Sequence, residues 1–246
     1  MKIESFQAPT FIDYEGEIAA ILFTPGCNFR CPYCHAQRIV FGKGILPEKD
    51  FFAYIDSKRH WLDAVVICGG EPTLQPDLYS FVSKIKKTGL KVKLDTNGSQ
   101  PVILEELLKS GAIDYVAMDV KAPRTLYSYA TGTTADTDAI AESIRIVSRF
   151  PGYEFRTTVA PFIPDASIPV LGKRFMTPEE VLELTQWIVD TTTSNQHRYY
   201  LQKFYPRPEQ MLSNVLETAM PTPELLLSDI LQKIKPILPH TRIRAA

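Results

Sequence analysis

Three cysteines, Cys27, Cys31 and Cys34, fall within the stretch T-P-G-C-N-F-R-C-P-Y-C-H, at C-x3-C-x2-C spacing. Thiols this dense make a soft-metal or redox site rather than core packing. C-P-Y-C alone is a redox dithiol of the glutaredoxin kind. C-P-Y-C-H matches the attachment site of a c-type haem. Three cysteines with His35 form an acceptable structural zinc set. Iron–sulfur clusters are also held by cysteine thiolates. A four-iron cubane normally takes four of them, and this loop offers three. One iron would then lack a protein ligand and could bind a small molecule.

The loop follows an apolar run, and the same arrangement recurs along the chain. Glu17 to Phe23 reads as a buried strand closed by Thr-Pro-Gly. Further strands are expected at Ala64 to Cys68, Lys91 to Leu94, Tyr115 to Val120, Tyr153 to Val159 and Arg198 to Phe204. Helices are expected at Pro47 to Arg59, Pro76 to Thr88, Pro101 to Ser110, Asp136 to Arg149, Thr177 to Asp190 and Pro223 to Lys235. Gly89 and Gly111 stop two of them, and Thr177, Pro178 and Glu180 form a capping box. Met1 to Gly16 shows little pattern, and Pro239 to Arg244 reads as a short extended tail. Six strand–helix alternations argue an α/β protein with a parallel sheet and helices outside it. The strands are short continuous apolar runs, as parallel strands covered on both faces are. Six units are too few for the usual eight-stranded barrel, so an open partial barrel and a flat doubly wound sheet both stay open.

Polar motifs sit at the C-terminal ends of successive strands: Cys27 to His35, then Gly69-Gly70-Glu71, Asp95-Thr96-Asn97 and Asp119-Val120-Lys121. That edge is where parallel α/β sheets and barrels bind ligands. Gly-Gly and Asn-Gly are also ordinary turn formers. Cys68, just before G-G-E-P, is read as core packing and not as a cluster ligand.

With 45% hydrophobic and 22% charged residues the chain is globular. Its 246 residues suit one domain, 1–246, with a core over about 11–204 and a C-terminal helix and tail over 205–246. The formal net charge of −1 gives no basic excess for nucleic acid. The N-terminus has no signal-peptide h-region, and no apolar run is long enough to cross a membrane. A cytoplasmic location is expected, where thiols stay reduced and four cysteines are not a disulfide framework. Export-dependent haem attachment is disfavoured on the same ground.

Taken together, C-x3-C-x2-C, G-G-E-P, D-T-N-G and D-V-K closely resemble the glycyl radical enzyme activases of the radical S-adenosylmethionine superfamily, in wording most like the activating proteins of anaerobic ribonucleoside-triphosphate reductases. The likeness runs from about Phe11 to Val159 and fades after that. It implies a partial (β/α)6 barrel of the TIM type, a 4Fe–4S cluster and S-adenosyl-L-methionine. It further implies a glycyl radical enzyme as protein substrate, with anaerobic ribonucleotide reductase favoured, and flavodoxin or ferredoxin as electron donor. Cys27, Cys31 and Cys34 would ligate iron. Tyr33 and His35 would lie by the cofactor, Tyr33 near the adenine or walling the loop. Gly69 would lie by the cofactor, Gly70 would let the backbone approach the methionyl group, and Glu71 would accept from its ammonium or brace its own loop. Asp119 and Lys121 correspond to positions touching methionine and ribose. Asp95 and Thr96, with Asp119, resemble a monovalent-cation site. Arg156, mid-strand, needs a carboxylate partner if it points inward. The lack of cysteines after Cys68 argues against auxiliary clusters. The proline-rich segments 161–175 and 205–221 are read either as shaping the access for a partner's glycine loop or as irregular surface. The alternatives kept are the same chemistry on a small molecule, as in deazapurine synthases, and a non-catalytic zinc or iron–sulfur protein.

Overall fold

The computed structural model describes residues 1–163 and 174–244. Among them, eight strands form one sheet in chain order: β1 (Ser5–Thr10), β2 (Ala19–Thr24), β3 (Ala64–Gly69), β4 (Lys91–Thr96), β5 (Tyr115–Asp119), β6 (Tyr153–Val159), β7 (Tyr199–Lys203) and β8 (Thr241–Arg244). β2 to β8 run parallel, each to the next, and β1 lies antiparallel on the outer edge of β2. The helices are α1 (Gln37–Val40), α2 (Glu48–Ser57), α3 (Leu78–Lys87), α4 (Pro101–Ser110), α5 (Tyr127–Thr131), α6 (Thr137–Val147), α7 (Pro178–Thr192) and α8 (Glu224–Ile234).

Local chemistry sets these boundaries. α3 buries Leu78, Phe81, Val82 and Ile85, the i, i+3, i+4, i+7 stripe of an amphipathic helix. α6 starts where the Asp136 side chain accepts from the N–H groups of Asp138 and Ala139. α7 starts on the expected capping box, with Thr177 and Glu180 satisfying each other's backbone N–H, worth about 1 kcal/mol. α4 ends at Gly111, whose φ of 65° is costly for a residue with a Cβ.

The sheet curves into a partial barrel with two unlike faces. Outward side chains such as Leu22, Ile67, Leu94, Met118, Phe155 and Leu201 form the main core under the helices. Inward, Ala19, Ile21, Ala64 and Val66 make a small apolar cluster with Tyr14, joined by Cys68 and Tyr115. Cys68 is thus packed inside the barrel. The other inward positions of β4, β6 and β7 are polar: Lys93, Asp95, Glu154, Arg156 and Gln202. These strands alternate, where continuous apolar runs were expected, because their inner face lines cavities instead of a second apolar layer.

Two expectations need correction. Residues 5–10, in the lead-in read as patternless, form β1. The tail read as extended at 239–244 contributes β8, which adds a seventh parallel strand to the six expected. Both are short edge strands whose formation depends on the neighbour they pair with rather than on their own pattern. Most of segment 161–175 lies outside the described residues. Among the described residues, no helix is long and apolar enough to cross a membrane.

Candidate functional site

The carboxyl ends of the parallel strands surround a cavity of about 270 Å³. Cys27, Cys31, Tyr33, Cys34 and His35 reach it from the loop after β2, and Gly69, Gly70 and Glu71 from the end of β3 and its loop. Asp95 and Thr96 come from β4, Asp119 from β5, and Lys121 from just beyond it. Every residue assigned to a site from the sequence therefore borders one space.

The G-G-E-P turn is a clasp on the cysteine loop. Gly70 N–H donates to Thr24 O (2.9 Å), Glu71 N–H to Gly26 O (2.8 Å), and the Gln75 side chain to Pro25 O (2.9 Å). A Cβ on Gly70 would lie 1.7 Å from the Gly26 carbonyl oxygen, and one on Gly69, at φ 129°, would lie 2.2 Å from Thr24 N. Both glycines thus pass close to the backbone at the start of the cysteine loop. Glu71 is fully buried. Its Oε1 accepts from Thr73 N–H (3.1 Å), Thr73 Oγ1 (2.6 Å) and Thr96 Oγ1 (2.8 Å), and its Oε2 from Asn97 N–H (2.6 Å). Burial pushes its pKa up, and these donors oppose the rise. Of the two readings for Glu71, bracing its loop is the one this geometry displays.

The far side is held as firmly. Arg30 N–H donates to Thr131 O (2.7 Å), while Leu212 N–H donates to Cys34 O (2.7 Å) and Ser213 N–H to Pro32 O (3.2 Å). Segment 205–221 therefore folds over the cysteine loop, and Met211, Leu216 and Ala219 pack with Ala160 and Phe204 beside Tyr33.

All four cysteines are free thiols. Burial pushes the thiols of Cys27, Cys31 and Cys34 up, Cys31 to about 11. Phe29 N–H and the Asn97 side-chain amide aim at Cys27 Sγ (3.4 and 3.8 Å), and Ala36 N–H aims at Cys34 Sγ (3.4 Å). Such donors favour the ionised sulfur that binds metal. Among the described residues no three His, Cys, Asp or Glu side chains converge on a position for a single ion. A zinc ion needs its ligands about 2.3 Å from one centre, whereas a four-iron cluster takes one thiolate at each of several corners. Three thiols with N–H donors aimed at two of their sulfurs are a donor set that fits such a cluster.

Below the cysteines runs a chain of charges. Lys93 Nζ meets Asp95 (2.7 Å), and Arg156 bridges Asp95 (Nη1, 2.9 Å) and Asp119 (Nε, 2.9 Å). Asp119 in turn meets Lys121 (3.2 Å). Burial would raise the Asp119 carboxyl, but Arg156 and Lys121 outweigh it and bring it down to about 2. Asp95 is lowered in the same way by Arg156 and Lys93 against its burial. Arg156 thus finds the barrel acids it requires. Its guanidinium stands between the two carboxylates for which a monovalent cation was considered, and the Thr96 hydroxyl is spent on Glu71. Lys121 also lies 5.9 Å from the Tyr33 ring centre.

Several lining residues had no assignment from the sequence, notably Asn97, Val40, Gln202 and Arg207. Asn97 was visible within D-T-N-G at a strand end, but no role was assigned to it there. Its amide, fixed by Asn28 Oδ1 (2.9 Å) and by Ser99 N–H donating to Asn97 Oδ1 (2.9 Å), does more than turn the chain.

The chain is a parallel α/β partial barrel with three cysteines in the loop after its first parallel strand. Residues 21–171, more than half of the sequence, match the family model for the radical SAM superfamily, and the chain belongs to that superfamily. A Methanocaldococcus jannaschii protein named "Putative glycyl-radical enzyme activating enzyme" is 38% identical over 63% of this chain and 66% of its own length. A Pyrococcus horikoshii protein named "Probable GTP 3',8-cyclase" is 23% identical over 76% of this chain and 60% of its own length. The chain therefore spans just under two thirds of each of these relatives. Among solved structures, Streptococcus suis SuiB bound to S-adenosylmethionine superposes with a TM-score of 0.60 at 13% identity, covering 92% of this chain and 51% of that one. A domain of pyruvate-formate lyase-activating enzyme from Bacteroides vulgatus gives 0.51 at 16% identity, covering 74% of this chain and 98% of that one. Both share the partial-barrel fold. The chain is a radical SAM enzyme, and its family implies a 4Fe–4S cluster and S-adenosylmethionine.

Proposed function

We propose that this enzyme generates a glycyl radical on a partner protein, with anaerobic ribonucleotide reductase as the favoured partner. The observation that carries the reading is the open side of the barrel. β1 and β8 are the two unpaired edges of the sheet. A cleft of about 690 Å³ lies between the loop after β1 and β8, bordered by Phe11, Ile12, Arg242, Ile243 and Arg244. Arg156 and Gln202 line both this cleft and the cysteine cavity, so the two adjoin. An extended polypeptide segment can enter such a side opening, whereas a small substrate is better served by a closed pocket. The similarity to a relative named as a glycyl-radical enzyme activase supports the same reading.

When bound, a four-iron cluster with one iron left open supplies a one-electron reduction of the sulfonium, and S-adenosylmethionine supplies the 5′-deoxyadenosyl radical that abstracts hydrogen. Cys27, Cys31 and Cys34 would hold the cluster, and the N–H donors of Phe29, Ala36 and Asn97 would offset the burial cost of their thiolates. Glu71 holds the turns after β3 and β4 against the cysteine loop. Lys121, at the cavity end of the charge chain, presents a cation to a carboxylate of the bound cofactor. Asp119, kept ionised, presents an acceptor to an ammonium or a ribose hydroxyl. Tyr33 offers a ring wall for an adenine, and His35 sits at the exposed rim. Segment 205–221 keeps water from the cysteines.

The test is anaerobic reconstitution with iron and sulfide, then reduction with S-adenosylmethionine. The expected products are 5′-deoxyadenosine and methionine, followed by a glycyl radical signal by electron paramagnetic resonance when anaerobic ribonucleotide reductase is added. The likeness to a protein named as a GTP 3',8-cyclase motivates one competing reading. Turnover of GTP, with no glycyl radical on added reductase, replaces the proposal with small-molecule chemistry.

A further inference from the structure

The Asn97 amide is held on every side. Asn97 directly follows β4, is 5% exposed and lines the cysteine cavity. Its main-chain N–H donates to Glu71 Oε2 (2.6 Å), which anchors the backbone from which the side chain extends. Its side chain accepts from Ser99 N–H (2.9 Å). A backbone N–H can only donate, so the amide atom facing Ser99 is the oxygen. The amide nitrogen therefore faces the other way, toward the cysteine loop. There Nδ2 donates to Asn28 Oδ1 (2.9 Å) and lies 3.8 Å from Cys27 Sγ.

That sulfur differs from the other two. Cys27 Sγ faces Phe29 N–H (3.4 Å) as well as Asn97, whereas Cys34 Sγ faces Ala36 N–H alone (3.4 Å), among the described residues. The Phe29 and Ala36 donors are main chain and come with any loop of this shape. The Asn97 donor depends on one side chain. One-electron reduction adds negative charge to a centre built on sulfur. An N–H aimed at a ligand sulfur favours the more negative form, and in a buried site no water replaces it. Hydrogen bonds to the sulfurs are one of the levers by which a protein sets the potential of such a centre.

From this we infer that Asn97 is a positioning residue that raises the reduction potential of the centre held by Cys27, Cys31 and Cys34, through its side-chain N–H at Cys27 Sγ. The inference rests on the cluster chemistry read for this site and adds a residue that controls how readily its electron is accepted. In the step concerned, a one-electron reductant loses an electron and the centre gains it. No bond breaks and no proton moves. Without the amide, the same reductant fills fewer centres.

The experiment measures the midpoint potential of the anaerobically reconstituted centre without S-adenosylmethionine, from its electron paramagnetic resonance signal during titration with dithionite. The variants are Asn97→Ser, Asn97→Ala and Asn28→Ala. Serine keeps an oxygen for Ser99 N–H but carries no N–H and is one atom too short to reach the sulfur. Alanine loses both contacts. Asn28→Ala removes the amide's other partner and leaves its N–H at Cys27. Both Asn97 variants are expected to lower the reduction equilibrium constant about tenfold, a potential about 59 mV more negative for one electron. Asn28→Ala is expected to stay within about twofold of the unaltered protein, and Asn97→Ser to bind as much iron per chain. An Asn97→Ser protein with full iron and an unchanged potential overturns the inference. So does a shift in Asn28→Ala as large as that in Asn97→Ser, because the amide then acts by holding the loop. So does an Asn97→Ser protein that no longer takes up a full cluster, since the amide then builds the site instead of tuning it. An unaltered protein that takes up no four-iron cluster overturns the functional reading beneath it.

Discussion

The two ends of the barrel are closed by different means. At the cysteine end, loops lock together through backbone: Gly70 against Gly26, Glu71 N–H on Gly26 O, and Leu212 N–H on Cys34 O. At the opposite end, a cavity of about 820 Å³ is bounded mostly by long side chains, among them Glu15, Arg198, Arg242 and Arg244. Tyr200 and Arg242 reach Glu15 there only at 3.3 and 4.0 Å. Backbone contacts fix atoms to fractions of an ångström and leave no room for substitution, whereas long solvated side chains adjust. The positions that cannot move are those nearest the cysteines.

That contrast can be broken at its strongest point by Gly70→Ala. The new methyl would collide with backbone that cannot swing aside, so a loss of about 3 kcal/mol is expected. Iron bound per chain after reconstitution, measured alongside the denaturation midpoint, should fall steeply. Next comes Glu71→Ala, which strands the N–H groups of Thr73 and Asn97 and the Thr96 hydroxyl in a dry site. About 2 to 3 kcal/mol is expected, read from urea midpoints, and a loss below 0.5 would show that the clasp does not depend on this carboxylate.

The charge chain between the two ends gives a pH signature. Asp119 titrates near 2 instead of the ordinary 3.8. Its contribution is complete above about pH 4 and disappears as pH falls toward 2, because the unfolded chain then binds its proton first. Asp119→Asn should therefore cost about 2 kcal/mol at neutral pH, with the gap to the unaltered protein closing near pH 2. A gap that is constant with pH would show that the loss comes from packing. The smallest effect is expected at the far end, where Arg242→Ala should change stability by no more than about 0.5 kcal/mol, since its acid partner is distant and both are exposed. A loss above 1 kcal/mol would remove the distinction between the two ends.

The same contrast marks what could be read from the sequence. The cysteine loop, G-G-E-P, D-T-N-G and D-V-K were legible because each combines a distinctive residue type with a strand end, and strand ends of a parallel sheet meet. The partners of Arg156 were foreseeable because a buried guanidinium needs carboxylates. β1 was not, since S-F-Q-A-P-T offers only two apolar side chains, Phe6 and Ala8, before a proline, and it becomes a strand by pairing with β2. Nor was the cover supplied by 205–221, because Leu212 and Ser213 act through main-chain N–H groups, which every residue but proline carries. Gly70 was singled out for closeness of approach, and its contact with the Gly26 carbonyl could not be read from the sequence. The polar inner face of β4 and β6 was hidden by reading short strands for total hydrophobicity instead of for which residues alternate.

The bonds from Leu212 and Ser213 back to Cys34 and Pro32 impose an order on biosynthesis. The strap that seals the cysteines is translated long after them, and at roughly 5 to 20 residues per second the ribosome leaves that loop uncovered for about ten seconds or more. Until then Cys34 O and Pro32 O lack the N–H donors that fasten the cover. A chain stalled before the strap would keep its metal-binding residues yet lack the roof that retains what they capture.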